Sequence, residues 1–303
     1  MKKVCIILAA YNGAKWIEEQ IDTILNQKKV QIDLFISDDC SDDKTFEIIK
    51  KIAKKKKNIF FWKNKKKSRS ATQNFFKLIK KVNFKKYDFV SLSDQDDLWN
   101  TIKLFRAIKM INKKKVDCYS SDVSILYKNG KKKYLRKSQN QKKMDFLFEG
   151  SGPGSTFVFK KDFALNMQSN LKKNKEIIKK INFHDWYIYF YARVNNYKWY
   201  IDFFSGLKYR QHEDNERGAN VGLKTNLKRL KYILNGEFLK QIKYFFLLNK
   251  EKKKDFKFLF NSNKLKSFLF IIKNYSHFRR KKIEKIYCLL ILILFLIKRK
   301  SLV

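Results

Sequence analysis

Three carboxylates within four residues, Asp94, Asp96 and Asp97, follow the apolar run Phe89-Val90-Ser91-Leu92 and are closed by Leu98-Trp99. Carboxylates at the exposed end of a buried strand make a site for a hard divalent cation, and enzymes use such cations to hold diphosphates. Magnesium or manganese suits that chemistry, neutralising the charge that builds on a leaving diphosphate. A lone Asp-x-Asp arises often by chance, and its place at a strand end is what gives this one weight.

Other segments carry chemistry of their own. In Ser37-Asp38-Asp39-Cys40-Ser41-Asp42-Asp43, Asp42 or Asp43 suits a helix cap, whereas Asp38 or Asp39 can accept a hydrogen bond from a pyrimidine imide or a ribose hydroxyl. Phe183-His184-Asp185-Trp186-Tyr187 opens a segment whose Tyr187, Phe190 and Tyr191 form an apolar face. Asp185 there either caps a helix or, beside an acceptor hydroxyl, serves as general base. Tyr209-Arg210-Gln211-His212-Glu213-Asp214-Asn215 contains one of three histidines. His212 beside Arg210 can contact a phosphate, complete a metal site or make a structural loop contact. Gly150-Ser151-Gly152-Pro153-Gly154-Ser155 holds three of the nine glycines and the single proline, and leads into a strand-like Thr156 to Phe159. A dinucleotide fingerprint needs GxGxxG opening a helix, so a Rossmann cofactor site is rejected.

These groups need elements to hold them. Val4 to Ala10, Ile32 to Ser37, Ile59 to Trp62 and Phe89 to Leu92 are short apolar runs of strand-forming residues. Between them Ile17, Ile21, Ile24 and Leu25, and then Phe46, Ile49 and Ala53, fall at helical spacing. Alternating strand and helix implies an α/β fold with a mainly parallel sheet flanked by helices. Ligands of such sheets sit beyond the carboxyl ends of the strands. Tyr11-Asn12-Gly13, Asp38-Asp39 and Asp94 to Asp97 therefore face one crevice, unless each is merely a turn.

The 303 residues are 44% apolar, with 28 Phe and 15 Tyr, enough for a substantial core. A net charge of +42 favours an anionic partner: nucleic acid, an anionic membrane or a phosphorylated substrate. No helix-turn-helix, zinc-finger or RNP1-like signature accompanies the charge, which argues against nucleic acid. Cys5, Cys40, Cys118 and Cys288 are widely spaced and read as reduced thiols of an intracellular protein. Met1-Lys2-Lys3 with Val4 to Ala10 imitates a short signal peptide but runs straight into Tyr11-Asn12-Gly13, as a first buried strand does. The lysine-rich stretch from Gly130 to Lys143 reads as a solvated loop.

Beyond about Leu223 the chain becomes basic, aromatic and aliphatic, and Ile286 to Ile297 is an unbroken apolar run. As a helix it reaches about 18 Å at roughly 1.5 Å per residue, short of the roughly 30 Å hydrocarbon layer. It can lie in the membrane interface with lysines on anionic headgroups, dock on the protein core, or span.

In order and spacing these motifs resemble the bacterial family 2 glycosyltransferases, inverting enzymes that use nucleotide sugars. Ile7-Leu8-Ala9-Ala10-Tyr11-Asn12-Gly13 with Glu19-Gln20-Ile21 and Ile24-Leu25-Asn26-Gln27 is similar to that family's first βα unit. Ser37-Asp38-Asp39-Cys40-Ser41 resembles its nucleotide-binding DDxS, and Ser93 to Trp99 the SDQDDxW form of its metal motif. Gly152-Pro153-Gly154-Ser155 resembles its acceptor-side turn, His184-Asp185-Trp186 its base motif, and Tyr209-Arg210-Gln211-His212 with Asn215 its closing loop. The match spans roughly residues 4 to 220, and the forms together look most like transferases of rhamnose and related sugars in cell-surface polysaccharide assembly.

The resemblance implies a GT-A fold over residues 1–222 and a basic helical extension, membrane-associated, over 223–303. It implies a nucleoside-diphosphate sugar donor held by Ala10, Tyr11, Asn12, Asp38, Asp39, Asn74 and Asp94, with Tyr11 and Asn12 acting largely through backbone. A Mg2+ or Mn2+ ion would rest on Asp94 and Asp96, with His212 a weaker candidate, and Asp185 would be the base. Gly152, Gly154, Ser155, Trp186, Arg210 and Gln211 would serve the acceptor and the closing loop. Ser68-Arg69-Ser70-Ala71, before Gln73-Asn74-Phe75, stands where the family commonly has a glycine, a departure that bears on the nucleotide contact from that loop, whereas Asn74 fits the pattern. The expected setting is the cytoplasmic face of a bacterial plasma membrane, with a glycan or lipid-linked glycan as acceptor and no nucleic acid. Two rivals are a metal-dependent nucleotidyltransferase, for which Tyr11-Asn12-Gly13-Ala14-Lys15 is a poor phosphate loop, and a polyanion- or membrane-binding protein whose acid clusters are only turns.

Overall fold

The computed structural model describes residues 1–212, 231–233, 235–249 and 263–298. The chain begins with three strand–helix units: β1 Lys2–Ala10, α1 Ile17–Leu25, β2 Val30–Asp38, α2 Thr45–Ala53, β3 Ile59–Lys63 and α3 Ala71–Lys81. β4 Phe89–Ser93, β5 Leu98–Trp99, α4 Lys103–Lys114, β6 Cys118–Ser121, β7 Val123–Tyr127 and β8 Lys132–Leu135 follow. β9 Val158–Lys160, α5 Lys161–Lys173, α6 Lys175–Ile178, α7 His184–Val194, β10 Trp199–Asp202 and β11 Leu207–Gln211 complete the region before residue 213. Three further helices are α8 Glu237–Leu247, α9 Lys264–Asn274 and α10 Lys282–Lys298.

Seven strands form one sheet in the order β10-β6-β9-β4-β1-β2-β3, parallel except for β9, which runs antiparallel to both neighbours. β1 lies inside it, and every residue from Val4 to Ala10 is buried. That explains the unbroken apolar run: a strand covered on both faces has no polar side to alternate with. Its side chains still divide by parity. Val4, Ile6 and Leu8 join a core with Ile17, Ile21, Leu104 and Ile111 of α1 and α4. Cys5, Ile7 and Ala9 join the opposite core with Phe75, Phe163 and Tyr187 of α3, α5 and α7. The sheet is thus sandwiched, and one end of β1, β2 and β4 opens to the same side.

A second sheet, β5-β11-β7-β8, borders that open end. Part of the lysine-rich stretch expected as loop is therefore strand: Lys132–Leu135 pairs with β7. The cause is long-range, because the Tyr134 hydroxyl donates to the buried Asp122 and to the Phe203 carbonyl. Exposed lysines on an outer strand also deter further pairing. The expected strand Thr156 to Phe159 is displaced as well. Gly154–Thr156 is a 3-10 turn closed by Thr156 and Phe157 on the Pro153 and Gly154 carbonyls, so β9 begins at Val158.

The C-terminal helices join the same core. Leu239, Ile242, Phe245 and Phe246 of α8 pack with α7, with the Phe245 ring 4.9 Å from Trp186 and the Phe246 ring 4.9 Å from Phe190. In α10, Leu292 and Leu296 face this core while Ile286, Leu290 and Ile297 stay exposed. The apolar run 286–297 thus docks by one face and leaves the other to its surroundings. No helix among the described residues is long and apolar enough to cross a membrane.

Candidate active site

The sheet brings the expected strand ends together through side chains bonded to neighbouring backbone. Gln95 bridges to β1, with Oε1 accepting from Tyr11 N–H and Nε2 donating to Tyr11 O, both at 2.8 Å. Asn12 has φ 49°, a left-handed conformation that asparagine tolerates. Its N–H donates to Ser41 Oγ and its Oδ1 accepts from Asp42 N–H, so the turn after β1 is latched to the turn after β2. Gly13 sits directly against Gln95; a Cβ there would fall 2.3 Å from Gln95 Oε1. Tyr11 N–H and carbonyl and Asn12 N–H, expected to line a base pocket, are thus engaged within the protein. What Tyr11 offers outward is its ring, 44% exposed, with Lys67 Nζ 5.1 Å from the ring centroid.

Asp38 and Asp39 lie just beneath. Asp38 accepts from the N–H and hydroxyl of Ser41, which sharpens the turn. Asp39 accepts from Ser68 N–H and Oγ and from Asn64 Nδ2. The segment that departs from the expected glycine is therefore held by Asp39 itself. Asn74 is buried, accepting from Ser37 Oγ at 2.7 Å and donating to the Ser37 and Ala10 carbonyls at 3.0 and 3.5 Å. It fastens the ends of β1 and β2 from below.

Around Asp94 to Asp97 the closing strand β11 supplies the partners. His212 Nε2 lies 2.8 Å from Asp96 Oδ2, and its ring stacks on Trp16 at 3.8 Å. Arg210 donates to the Asp96 carbonyl and to Glu19 Oε2, and Gln211 Nε2 reaches the His212 carbonyl at 3.5 Å. Asn215 and the rest of that loop lie outside the described residues. Tyr209 of β11 lies within electrostatic reach of these acids. Burial, followed by the negative charges of Asp94, Asp97, Asp96 and Asp185, pushes its pKa far up. Asp185 of α7 is tied to the strand-end acids through the intervening turn: a Cβ at Gly154 would lie 3.6 Å from Asp185 Cβ, and the adjacent Ser155 faces Asp97.

Asp97 is 1% exposed and Lys103, on α4, is 2% exposed. Burial and then the charge of Asp96 push the Asp97 carboxyl up to about 8, with Ser155 and the Arg210 backbone opposing. Burial brings Lys103 down to about 7, and its ammonium stands 3.3 Å from the centroid of the Trp99 ring. Asp97 therefore shapes the floor of the turn, as its position suggests, rather than facing outward.

Asp185 is half-buried in the first turn of α7, with Oδ1 accepting from Trp186 N–H at 2.7 Å. It shares capping with Thr72, whose hydroxyl oxygen accepts from His184 N–H at 3.2 Å. The acceptor-side turn leans on this helix start. A Cβ at Gly154 would sit 2.6 Å from His184 Nε2 and 3.6 Å from Asp185 Cβ, and one at Gly150 would meet Trp186 at 3.7 Å. Gly152 has φ 143°, and Ser155 is fully buried. Trp186 Nε1 donates to the Phe146 carbonyl, fixing the ring beneath the turn.

The oxygen donors of Asp94 and Asp96 suit Mg2+ or Mn2+. Among the described residues no three His, Cys, Asp or Glu side chains are gathered for a metal. The fit is to a cation shared between these side chains and the oxygens of a bound diphosphate, as hard cations that keep few protein ligands allow.

Of the residues singled out by sequence, the fold brings Ala10, Tyr11, Asn12, Asp38, Asp39, Asn74, Asp94, Asp96, His212, Arg210 and Asp185 to one end of the sheet, with Gly152, Gly154, Ser155 and Trp186 along its rim. Gln95, Trp16, Tyr209 and Lys103 escaped that reading. Gln95 and Tyr209 lay inside motifs already singled out; Trp16 and Lys103 gave no signal of spacing.

The profile of Glycosyl transferase family 2 matches residues 5–175. The chain is 38% identical over 288 residues to the dTDP-rhamnosyl transferase RfbG of Shigella flexneri, covering 95% of this chain and 99% of that protein. It is 33% identical over 116 residues, 38% of this chain and 44% of the relative, to the UDP-Glc:alpha-D-GlcNAc-diphosphoundecaprenol beta-1,3-glucosyltransferase WfaP of Escherichia coli. Among solved structures, S. aureus TarS 1-349 in complex with UDP-GlcNAc is similar in fold, with TM-score 0.54, 17% identity and coverage of 91% of this chain and 80% of that one. The mannosyltransferase PcManGT from Pyrobaculum calidifontis, in complex with GDP-Man and Mn2+, gives TM-score 0.53, 15% identity and coverage of 97% and 81%. The sandwiched sheet is the GT-A fold, and the chain belongs to glycosyltransferase family 2.

Proposed function

We propose that this glycosyltransferase moves a sugar, rhamnose in the first instance, from a nucleoside-diphosphate donor to a glycan or lipid-linked glycan, with inversion, in cell-surface polysaccharide synthesis. The near full-length likeness to a dTDP-rhamnosyl transferase supports the donor. The observation that carries the reading is the Gly154-Ser155 turn, which adjoins His184 and Asp185 on one side and Asp97 on the other. It puts a candidate base and candidate diphosphate-side carboxylates in one crevice.

In this reading the donor's nucleoside lies against the Tyr11 ring and the latched turns that Asp38, Asp39 and Asn74 support. Asp94 and Asp96, with His212 beside them, would hold Mg2+ or Mn2+, which supplies charge neutralisation to the departing nucleoside diphosphate. The half-buried Asp185 takes the proton of the acceptor hydroxyl as it attacks the anomeric carbon in line from the face opposite the leaving group. The turn Gly150 to Ser155, resting on His184 and Trp186, and the segment Arg210-Gln211 close over the site and exclude water, against which the donor must be protected. Residues 1–222 act as the catalytic unit, and the basic extension 223–303 holds it as a peripheral protein on the inner face of the bacterial plasma membrane.

The test is sugar transfer from a panel of nucleotide sugars, with dTDP-rhamnose included and metal present or chelated, by wild type, Asp185→Ala and Asp96→Ala. Loss in both variants, and loss on chelation, is expected. Full activity in both variants would sink the mechanism.

A further inference from the structure

Large apolar side chains are exposed unevenly. Among the described residues, eleven of the seventeen lie between Leu265 and Ile297. On α9 they are Leu265, Phe268, Leu269 and Ile272, at i, i+3, i+4 and i+7, opposite the buried Ser267 and Ile271. On α10 they are Ile283, Ile286, Tyr287, Leu290, Leu294 and Ile297, again one stripe, opposite the buried Leu292 and Leu296. The two helices pack against each other. Each therefore turns one apolar face to the protein and a second away from it, which an ordinary surface helix does not do. Isolated exposed apolar residues need no explanation, but a double stripe does.

Charge selects what covers it. Lys264, Lys266, Lys273, Lys281 and Lys282 are exposed on the same two helices and their junction. The one acid of residues 263–298, Glu284, is bonded to Arg279 and lies 3.6 Å from Lys281. A second copy would bring two lysine-studded faces together, and their repulsion opposes self-association. An anionic bilayer supplies both apolar depth and counter-charge. At about 1.5 Å per residue α10 is about 25 Å long, so it suits lying in the interface rather than crossing it.

The junction also sets orientation. The Arg280 side chain is fully buried, donating to Gly150 O at 2.7 Å and pairing with Glu149 at 3.0 Å and Asp145 at 3.3 Å. Arg279 donates to the Phe148 carbonyl. The same corner that joins α9 to α10 is thus fastened to the start of the acceptor-side turn.

We propose that the paired outer stripes of α9 and α10 are the surface by which this protein lies on an anionic lipid bilayer, with the acceptor-side turn held at that boundary by Arg279 and Arg280. The lipid contact deepens the peripheral membrane attachment of the proposed function, and the orientation rests on its lipid-linked acceptor; neither rests on the transfer chemistry.

The experiment is flotation of the full chain with phosphatidylcholine vesicles with and without phosphatidylglycerol, at low and high salt, with sedimentation in parallel. Wild type should float with the anionic vesicles and be released by salt. Ile286→Asp and Leu290→Asp should each weaken binding about tenfold or more while keeping wild-type thermal stability, because both side chains are already exposed. Asp185→Ala should bind vesicles as wild type does, whatever its transfer activity, which separates this inference from the reaction. Equal binding by wild type and both aspartate variants would overturn the proposal. So would no binding by wild type, or a wild-type dimer that either variant dissolves.

Discussion

The crevice at the strand ends and the rim formed by the turn Gly150 to Ser155 are held by different physics. At the crevice, short side chains bond to backbone a few ångströms away: Gln95 to Tyr11, Ser41 to Asn12, Thr45 Oγ1 to Gly13 N–H, Asp43 to Ala14. At the rim, the turn Gly150 to Ser155 is positioned by aromatic packing beneath it and by ions that come from more than a hundred residues away, Arg279 and Arg280. The first scheme builds a rigid shape from short side-chain-to-backbone bonds. The second ties the turn to the C-terminal helices, so that its position depends on where those helices pack.

The sharpest way to test the division is Asp185→Asn, which keeps the shape of the helix start and removes the proposed base. Turnover should fall about 10²- to 10⁴-fold with KM for the donor nearly unchanged, measured by steady-state kinetics; unchanged turnover would remove Asp185 from the chemistry. Next comes Arg280→Met. It leaves Asp145 and Glu149 short of a buried partner and should cost about 3–5 kcal/mol in denaturant unfolding. A loss below about 1 kcal/mol, within the range of a surface pair, would mean that aromatic packing alone holds the rim.

Gly154→Ala should cost about 1–3 kcal/mol by overpacking, since the added methyl meets His184 Nε2 at 2.6 Å. It should also lower turnover more than donor affinity, because the displaced groups are His184 and Asp185. Gln95→Ala removes the bridge to Tyr11, and at about 0.5–1.5 kcal/mol per hydrogen bond it should instead raise KM for the donor. Donor KM unaffected by Gln95→Ala, or acceptor KM alone affected, would erase the contrast between the two sides.

The smallest effect concerns acid. Burial works to raise the Asp43 carboxyl, but hydrogen bonds from the Thr45 side chain and from the Ala14 and Thr45 N–H groups outweigh it and lower its pKa below the ordinary 3.8. Folded Asp43 therefore binds its proton less readily than unfolded Asp43, and its stabilisation is present above pH 4 and lost as pH falls through the lowered value. Asp43→Asn should flatten the acid limb of the stability profile, followed by unfolding at stepped pH. An unchanged limb would mean that the latch is not electrostatic.

The strand ends were legible because a fully buried strand writes itself as an apolar run, and the polar residues that follow have nowhere to go but its open end. The acid clusters Asp38-Asp39 and Asp94 to Asp97 were found in this way, and so was Asp185 at a helix start. What each carboxylate does was not legible. Asp38 sharpens its own turn through Ser41, Asp97 is sealed beneath with Lys103 nearby on α4, and Asp39 grips Ser68, 29 residues on; which of these a carboxylate does depends on burial and on partners that its own motif does not show. The strand Lys132–Leu135 was hidden by its lysines, which a solvated loop would show equally; only Asp122 at the far end of the Tyr134 hydroxyl reveals it.

Local pattern alone determined the parallel sheet, its helices, the open end where chemistry gathers, and the apolar character of residues 286–297, since periodicity and strand-end polarity are properties of neighbours in sequence. Tertiary structure decided the rest: that the turn at Gly154 meets His184 and Asp185, that His212 meets Asp96 over Trp16, and that Arg280 anchors the C-terminal helices to Gly150. Those are meetings of side chains carried on different elements. Their energies depend on distance and burial, quantities that exist only once the chain has closed on itself.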